Sequence, residues 1–245
     1  MKRLMDADPL PHLLRPLSQL AINNLKSAEE TAHSIGHQVD LAFAWQFFPI
    51  RLHEMFTIRP FQIRSELVEF LTLLQKSPRR NIMEIGTARG GTLYLLAKVA
   101  APEATILSVD LPYGGFGGGY PKWKIPFYES FADKAKTIHV IRDDSHDPKV
   151  RKHVKEILQE EKLDLLFIDG DHSYDGVRKD FEMFGPLVGR SGLVAFHDIA
   201  IHPPETHCEV SQFWNQIKNS YEHLEIIESA SQDWGGIGIL FLEND

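Results

Sequence analysis

The stretch NIMEIGTARGGTLYLLA, residues 81–97, decides how this chain folds. It begins with a short apolar run, continues through a turn that contains glycine, and ends in an apolar stretch of helical length. A strand that passes through a tight turn into a helix is the first half of a βαβ unit, in which the helix connects two parallel strands. We therefore expect a parallel sheet whose strand ends open into a ligand crevice.

The alternation of short apolar runs with amphipathic stretches continues to residue 198. The expected later strands are TILSVD, TIHVIRDD, LDLLFIDGD and GLVAFHD. In the tail, residues 223–242, two strand-like runs follow each other without a helix, which is typical of an antiparallel pair at a sheet edge. The pattern predicts an α/β protein with a Rossmann-like, doubly wound sheet of about seven mostly parallel strands and an antiparallel C-terminal strand.

The chain has 245 residues, 43% of them hydrophobic, and a formal net charge of -8. Apolar residues recur at helical spacing near the start, so we expect a helical N-terminal extension over residues 1–60 and one domain over residues 61–245. The excess of acidic over basic residues argues against nucleic-acid partners, which bind positively charged surfaces. The longest apolar stretch, residues 41–50, is too short for a membrane span. We expect a cytoplasmic protein that acts on small molecules and not at a membrane.

Polar residues follow the predicted strands. Asp110 ends the second strand, Asp169 follows the fourth, and His197 and Asp198 end the fifth. Because the carboxyl ends of parallel strands meet at one edge of a sheet, these side chains should face a common crevice. Burying an unpaired carboxylate directly after an apolar run is costly, which favours a functional role for Asp169. Capping of the following helices is the simpler interpretation of three other acids, Asp144, Asp147 and Asp171.

The chain resembles class I S-adenosylmethionine-dependent methyltransferases over about residues 60–242. The resemblance is carried by the order and spacing of NIMEIGTARGGTLYLLA, ILSVDLP, RDDSHD, FIDGDHSYDGVRKDF and GRSGLVAFHD. It is strongest to the group that includes cephalosporin-hydroxylase-like proteins and metal-dependent sugar or macrolide O-methyltransferases. It implies an enzyme that moves a methyl group from S-adenosylmethionine to an oxygen of a small secondary-metabolite or sugar-like acceptor.

The resemblance also implies the cofactor-binding residues. Asp110 would bind the ribose hydroxyls, Leu111 would lie beside the adenine, and Asp144 with Ser145 would meet the adenine edge. The first motif would lie against the methionine part of the cofactor. Its matching residues are Glu84, Gly86, Thr87, Ala88 and Gly90.

By the same resemblance, Asp169, His197 and Asp198 fall where relatives hold a divalent cation, which would lower the pKa of the acceptor hydroxyl. Oxygen ligands suit Mg²⁺, whereas the imidazole of His197 departs from the relatives' pattern and favours a softer ion such as Mn²⁺, Fe²⁺ or Zn²⁺. Alternatively His197 is the general base, and His172 is the other candidate. The predicted catalytic residues are thus Asp169, His172 and His197.

Several alternatives stay open at the level of sequence. The chain could be a non-catalytic cofactor-binding scaffold or partner subunit, or an NAD-dependent oxidoreductase, although the dehydrogenase motif G-x-G-x-x-G differs from GTARGG. The N-terminal extension supplies either a wall of the acceptor pocket or a contact within a homo-oligomer. Irregular spacing of His202, His207 and Cys208 favours a loop over a metal cluster. The glycine-rich segment 113–121 is expected to be a lid or a connector.

Overall fold

A computed structural model describes residues 11–47, 56–112, 119–133 and 135–242 of the chain. Most of the glycine-rich segment, residues 113–118, lies outside these ranges. Within them, the strands are β1 Asn81–Ile85, β2 Thr105–Asp110, β3 Thr137–Arg142, β4 Leu163–Ile168, β5 Val188–His197, β6 Glu222–Ile226 and β7 Ile237–Phe241. The α-helices of the same ranges are α1 Pro11–Glu29, α2 Ile35–Ala44, α3 Arg64–Lys76, α4 Gly91–Val99, α5 Ile125–Glu129, α6 Pro148–Ile157, α7 Tyr174–Phe184 and α8 Val210–Ile217.

The strands form one sheet in the order β3-β2-β1-β4-β5-β7-β6. The first five are parallel to one another, and β7 runs antiparallel to both of its neighbours, β5 and β6. The predicted Rossmann-like fold with an antiparallel C-terminal strand is confirmed. Chain order reverses between β1 and β4, and this is the place where an open α/β sheet leaves a crevice at its carboxyl edge.

Each face of the sheet has its own apolar core because side chains alternate along a strand. Ile82 of β1 belongs to the core covered by α1 to α5, whereas Met83 and Ile85 belong to the core covered by α6, α7 and α8. The helices therefore lie on both faces and hold the strand ends in fixed positions around the crevice.

The described part of the N-terminal extension packs into the first of these cores. Ala21 and Leu25 of α1 are buried there, and the Trp45 ring stacks on Phe127 with 5.7 Å between centroids. The indole N–H of Trp45 donates to Oδ1 of Asn24 at 3.0 Å. The division at residue 60 stays a prediction. None of the helices in the described ranges has the length and apolar character that crossing a bilayer requires.

Asp164 is the one charged residue within β4, and its role is structural. Its Oδ2 accepts the backbone N–H groups of Arg80 and Asn81, each at 2.9 Å. These bonds satisfy two backbone donors at the start of β1. Asp164 thus aligns β1 with β4, the two strands that flank the crevice.

Candidate active site

The carboxyl ends of β1, β2, β4 and β5 open into one cavity of about 580 Å³. This volume is within the usual range for a small-molecule site, about 300–1,000 Å³. Of the residues predicted to bind ligand or act in catalysis, Glu84 and Gly90 do not line the cavity. Those that do are Gly86, Thr87, Ala88, Asp110, Leu111, Asp144, Ser145, Asp169, His172, His197 and Asp198.

Glu84 lies beneath the turn that follows β1. Its side chain is fully buried, and Oε2 accepts the Ser108 hydroxyl at 2.7 Å. Oε1 has no hydrogen-bond partner among the described residues. Burial raises the pKa of Glu84 well above its usual value, because a buried carboxylate loses its hydration. Glu84 is therefore buried outside the cavity lining, and its part in cofactor binding stays a prediction.

The turn itself requires glycine at two positions. Gly86 has φ +98°, and a Cβ there would lie 1.9 Å from the carbonyl oxygen of Asp169. Gly90 has φ +78°, and its Cβ would lie 2.7 Å from the ring of Tyr128. That ring is held in place because its hydroxyl donates to the carbonyl of Ala88 at 2.9 Å. The two glycines let the ends of β1 and β4 and the Tyr128 ring pack tightly around the turn.

Asp110 is bound to the same turn. Its Oδ2 accepts the backbone N–H groups of Ala88 at 2.8 Å and Gly119 at 3.0 Å. Burial raises the pKa of Asp110 to about 6, although these backbone hydrogen bonds act in the opposite direction. The carboxylate is thus fixed at the end of β2, facing the cavity.

The three acids explained as helix caps differ in the structure. Asp147 caps α6 by accepting the N–H of Lys149 at 2.9 Å. The cap of α7 is Ser173, and Asp171 supports it by accepting both the N–H and the hydroxyl of Ser173. Asp144 accepts the N–H of His146 at 2.8 Å and also lines the cavity. Asp144 is therefore a turn residue and not a helix cap, Asp171 acts only through the cap Ser173, and both acids line the cavity.

Four charged residues, Asp169, His172, His197 and Asp198, form a compact group that we call the Asp–His cluster. Oδ1 of Asp169 is 3.1 Å from Nδ1 of His197 and 3.5 Å from Nε2 of His172. Oδ1 of Asp198 is 3.3 Å from Nδ1 of His197, and its Oδ2 is 3.4 Å from Nδ1 of His172. Each carboxylate therefore contacts both imidazoles, and the four residues titrate together.

In the Asp–His cluster, the attraction between opposite charges shifts the pKa values more than burial does. Burial alone would lower the pKa of His172, but its contacts with Asp169, Cys208 and Asp198 raise it to about 10. The pKa of His197 is also raised well above its usual value, against its burial, by Asp198 and Asp169. The pKa of Asp198 is lowered well below its usual value, despite burial, chiefly by His197. Near neutral pH the protonated imidazoles thus balance the two carboxylates.

Three members of the cluster also fit the predicted cation site. One ligand atom from each of Asp169, His197 and Asp198 lies within 4.8 Å of the other two. Nε2 of His197 is buried and has no hydrogen-bond partner among the described residues. Two carboxylates and one imidazole are a donor set that accepts Mg²⁺ or a softer divalent ion. Protons on the imidazoles and a bound cation are alternatives here, because each neutralises the carboxylates.

Two residues that belong to none of the sequence motifs hold this part of the site together. Gln62 donates to Oδ2 of Asp169 at 2.5 Å, and its carbonyl accepts the Thr92 hydroxyl at 2.9 Å. Glu66 is buried and accepts the N–H of Gly236 at 2.8 Å. The sequence could not reveal these contacts, because Gln62 and Asp169 are 107 residues apart and nothing local marks the glutamine.

The loop that contains His202 and Cys208 also reaches the site. Nε2 of His202 is 3.2 Å from Oδ1 of Asp198. Burial would raise the pKa of the Cys208 thiol, but hydrogen bonds with His172 and His202 lower it to about 7. The sequence correctly predicts a loop here, yet the fold brings Cys208 and His202 to the cluster while His207, at φ +54°, is exposed on the loop.

The mouth of the cavity is aromatic. Phe61 and Trp234 line it, with 51% and 45% of their surfaces exposed. The guanidinium carbon of Arg89 lies 4.8 Å from the centre of the Phe61 ring. Large exposed aromatic side chains at a cavity mouth are typical of a ligand contact surface. Arg59 and Pro60, the last two residues of the N-terminal extension, also line the cavity.

Comparisons with known proteins agree with this fold. Residues 83–199 match the family model described as a methyltransferase domain. An uncharacterised protein, R132, of Acanthamoeba polyphaga mimivirus is 26% identical over 140 residues, which are 57% of this chain and 61% of that protein. This chain therefore matches less than two thirds of that curated relative.

Two solved structures share the fold over most of the chain. One is the O-methyltransferase TomG from Streptomyces achromogenes, involved in tomaymycin synthesis and solved in complex with SAM. It has a TM-score of 0.52 and 15% identity, and the match covers 84% of this chain and 90% of that one. The other is cofactor-bound Rv0187 from MTB, with a TM-score of 0.51, 16% identity, and coverage of 84% and 87%.

Proposed function

We propose that this chain is an enzyme that transfers the methyl group of S-adenosylmethionine to an oxygen of a small-molecule acceptor, because residues 83–199 match the methyltransferase-domain model and the sheet has a Rossmann-like strand order. The observation that carries the proposal is the single cavity onto which both the Asp110 turn and the Asp–His cluster open. One part fits the nucleoside of the donor, and the other fits an acceptor hydroxyl.

The cofactor half of the cavity suits a nucleoside with an attached amino acid. The carboxylate of Asp110 is an acceptor for two ribose hydroxyls, and Leu111 offers an apolar surface beside it. Asp144 and Ser145 supply polar atoms for the adenine edge. The turn at Gly86, Thr87 and Ala88 lines the cavity beside Asp110 and is the proposed contact for the methionine part. Gly90 belongs to the same turn, and Glu84 is linked to Thr87 of the turn through the Ser108 hydroxyl.

The acceptor half is formed by the Asp–His cluster. His172 has the largest exposed side-chain fraction, 22%, against 13% for Asp169 and 3% for His197. We propose that Asp169 orients the acceptor hydroxyl and that, when a cation replaces the imidazole protons, the neutral ring of His172 receives the proton that the hydroxyl releases. Methyl transfer by direct displacement needs alignment and exclusion of water more than a covalent intermediate. The buried cluster and the aromatic mouth provide both.

A divalent cation is part of the proposal. Asp169, His197 and Asp198 would hold it, and its charge would lower the pKa of the acceptor hydroxyl. The mixed oxygen and nitrogen donors leave Mg²⁺ and softer ions as candidates. The acceptor is proposed to be a secondary-metabolite or sugar-like molecule, as in the resembling group of metal-dependent O-methyltransferases.

The test combines cofactor binding with methyl transfer. We expect calorimetry to show binding of S-adenosylmethionine and S-adenosylhomocysteine and no comparable binding of NADH. A panel of hydroxylated small molecules, incubated with methyl-labelled cofactor and divalent ions, should yield a labelled O-methyl product. Cofactor binding without transfer to any acceptor would favour the scaffold. Binding of NADH alone would favour the oxidoreductase and overturn the proposal.

Cofactor affinity should depend on pH through Asp110. Its pKa of about 6 is above the ordinary value of 3.8, so the folded protein holds this proton more tightly than the unfolded chain does. The contribution of Asp110 to the free energy of unfolding is therefore fully present below pH 3.8 and is lost as the pH rises through about 6. Above that pH the ionised carboxylate can accept the ribose hydroxyls. We expect S-adenosylmethionine affinity to fall by about tenfold per pH unit below pH 6. Calorimetry at pH 5 to 8 measures this.

The Asp110→Asn variant is the control for the pH experiment. An amide cannot ionise, so its affinity should be weaker at pH 8 and nearly constant from pH 5 to pH 8. An equally steep pH dependence in Asp110→Asn would show that another group causes it.

A further inference from the structure

A second set of metal-binding side chains lies beside the Asp–His cluster. One ligand atom from each of His172, Asp198 and Cys208 lies within 4.8 Å of the other two. Nδ1 of His172 is 3.4 Å from Oδ2 of Asp198, and His172 is also hydrogen-bonded to the Cys208 thiol. This set shares Asp198 with the proposed cation site but contains His172 and the sulfur donor Cys208 in place of Asp169 and His197.

Backbone contacts hold the cysteine in this position. The N–H of Cys208 donates to the Thr206 hydroxyl at 3.2 Å. The next residue, Glu209, donates its N–H to the carbonyl of His172 at 2.8 Å, and its carboxylate accepts the N–H of Tyr174 at 3.0 Å. The loop is therefore bound to the turn that carries His172, which keeps the backbones of Cys208 and His172 close together.

The three side chains also have the outer partners that metal ligands usually have. Nε2 of His172, the ring nitrogen that points away from Asp198, is 3.5 Å from Oδ1 of Asp169. His202 contacts Asp198 at 3.2 Å and hydrogen-bonds to Cys208. A ligating histidine commonly donates its second N–H to a carboxylate, which orients the ring and strengthens the ligand.

We propose that His172, Asp198 and Cys208 form a binding site for a sulfur-accepting divalent ion such as Zn²⁺. A thiolate and a carboxylate together balance the charge of the ion, and three protein ligands leave a coordination position open, as in catalytic zinc sites. Mg²⁺ prefers oxygen ligands and is not expected to bind here. The proposal does not depend on methyl transfer, because it concerns the affinity of the protein for the ion.

Titration of the whole protein with Co²⁺, a spectroscopic substitute for Zn²⁺, tests the site. Cys208 is the only cysteine in the sequence, so a thiolate-to-cobalt charge-transfer band in the near ultraviolet can come from no other residue. We expect such a band at one equivalent of Co²⁺, its loss on adding Zn²⁺, and its persistence in excess Mg²⁺. Absence of the band in the parent protein would overturn the proposal.

Variants separate this site from its surroundings. Cys208→Ser should abolish the band. Removing an outer partner of a metal ligand lowers metal affinity by about 10- to 100-fold, and Cys208→Ser should weaken Co²⁺ binding by more than that. His202→Gln, an outer-partner variant, should weaken binding and keep the band. His207→Gln is the matched control, since it changes an exposed imidazole of the same loop, and it should leave band and affinity unchanged. A band that survives in Cys208→Ser would also overturn the proposal.

A measurement on the unmodified protein covers the case in which Cys208→Ser does not fold. Zn²⁺ should slow the alkylation of Cys208 by iodoacetamide, because a ligated thiolate is no longer free to react. Mg²⁺ should not slow it. Equal alkylation rates with and without Zn²⁺ would contradict the proposed site.

Discussion

Replacing Asp169 by asparagine is expected to lower the rate of methyl transfer by about 10²- to 10⁴-fold, the usual contribution of a group that handles a proton in catalysis. Asp169 contacts His172, His197 and Gln62, so its carboxylate is the centre of the acceptor half of the cavity. The amide keeps the shape but loses the charge that we propose to orient the acceptor and to hold a cation. Formation of S-adenosylhomocysteine from the acceptor found in the panel measures the rate.

Cofactor binding should change little in Asp169→Asn, because Asp110 and the Gly86 turn remain. Asp175→Asn is the matched control. It removes the same charge from the first turn of α7, where the side chain is 84% exposed and pairs with Arg178. This control should keep the parent rate. A parent-like rate or an unchanged response to divalent ions in Asp169→Asn would contradict the role given to Asp169.

Replacing Gly86 by alanine is expected to abolish cofactor binding and to lower the free energy of unfolding by about 2–6 kcal/mol. This sum combines about 1–3 kcal/mol for overpacking with about 1–3 kcal/mol for backbone strain. The added Cβ would lie 1.9 Å from the carbonyl oxygen of Asp169, at a φ of +98° that side chains rarely adopt. Urea unfolding and calorimetry with S-adenosylmethionine measure the two effects.

Gly36→Ala is the control for the glycine substitution. Gly36 lies in α2, and the nearest atoms to an added Cβ are 3.9 Å away. Alanine is favoured over glycine within a helix by about 0.5–1 kcal/mol, so Gly36→Ala should be neutral or slightly stabilising. If Gly86→Ala matched this control in stability and cofactor affinity, the tight packing of the turn would be refuted.

Periodic patterns explain why the sheet could be predicted from the sequence. The run LDLLFI gave the bounds of β4, Leu163–Ile168, because an apolar run between turn signals has few other structures available. The same reasoning placed an antiparallel pair in the tail. The pattern did not show that β7 would lie between β5 and β6, since strand order depends on pairing between segments far apart in the chain.

The candidate site was predictable only in part. Asp110, Asp169 and His197 could be singled out because each ends a strand, and the ends of parallel strands share one edge. Gln62 could not, because its bond to Asp169 depends on how the segment before α3 packs over the sheet. The irregular spacing of His202, His207 and Cys208 favoured an ordinary loop, and the structure has a loop over these residues. Only the fold shows that the loop returns to His172.

By itself, the sequence determined the α/β architecture, the glycine turn after β1 and the polar strand ends, because these follow from the local order of apolar, glycine and charged residues. The tertiary structure alone decided which charges meet. It paired Asp169 and Asp198 with two imidazoles, added Gln62 and Cys208 to them, and placed Glu84 beneath the cavity. The physical reason is that charge balance and burial depend on distances across the fold, which residue spacing does not contain.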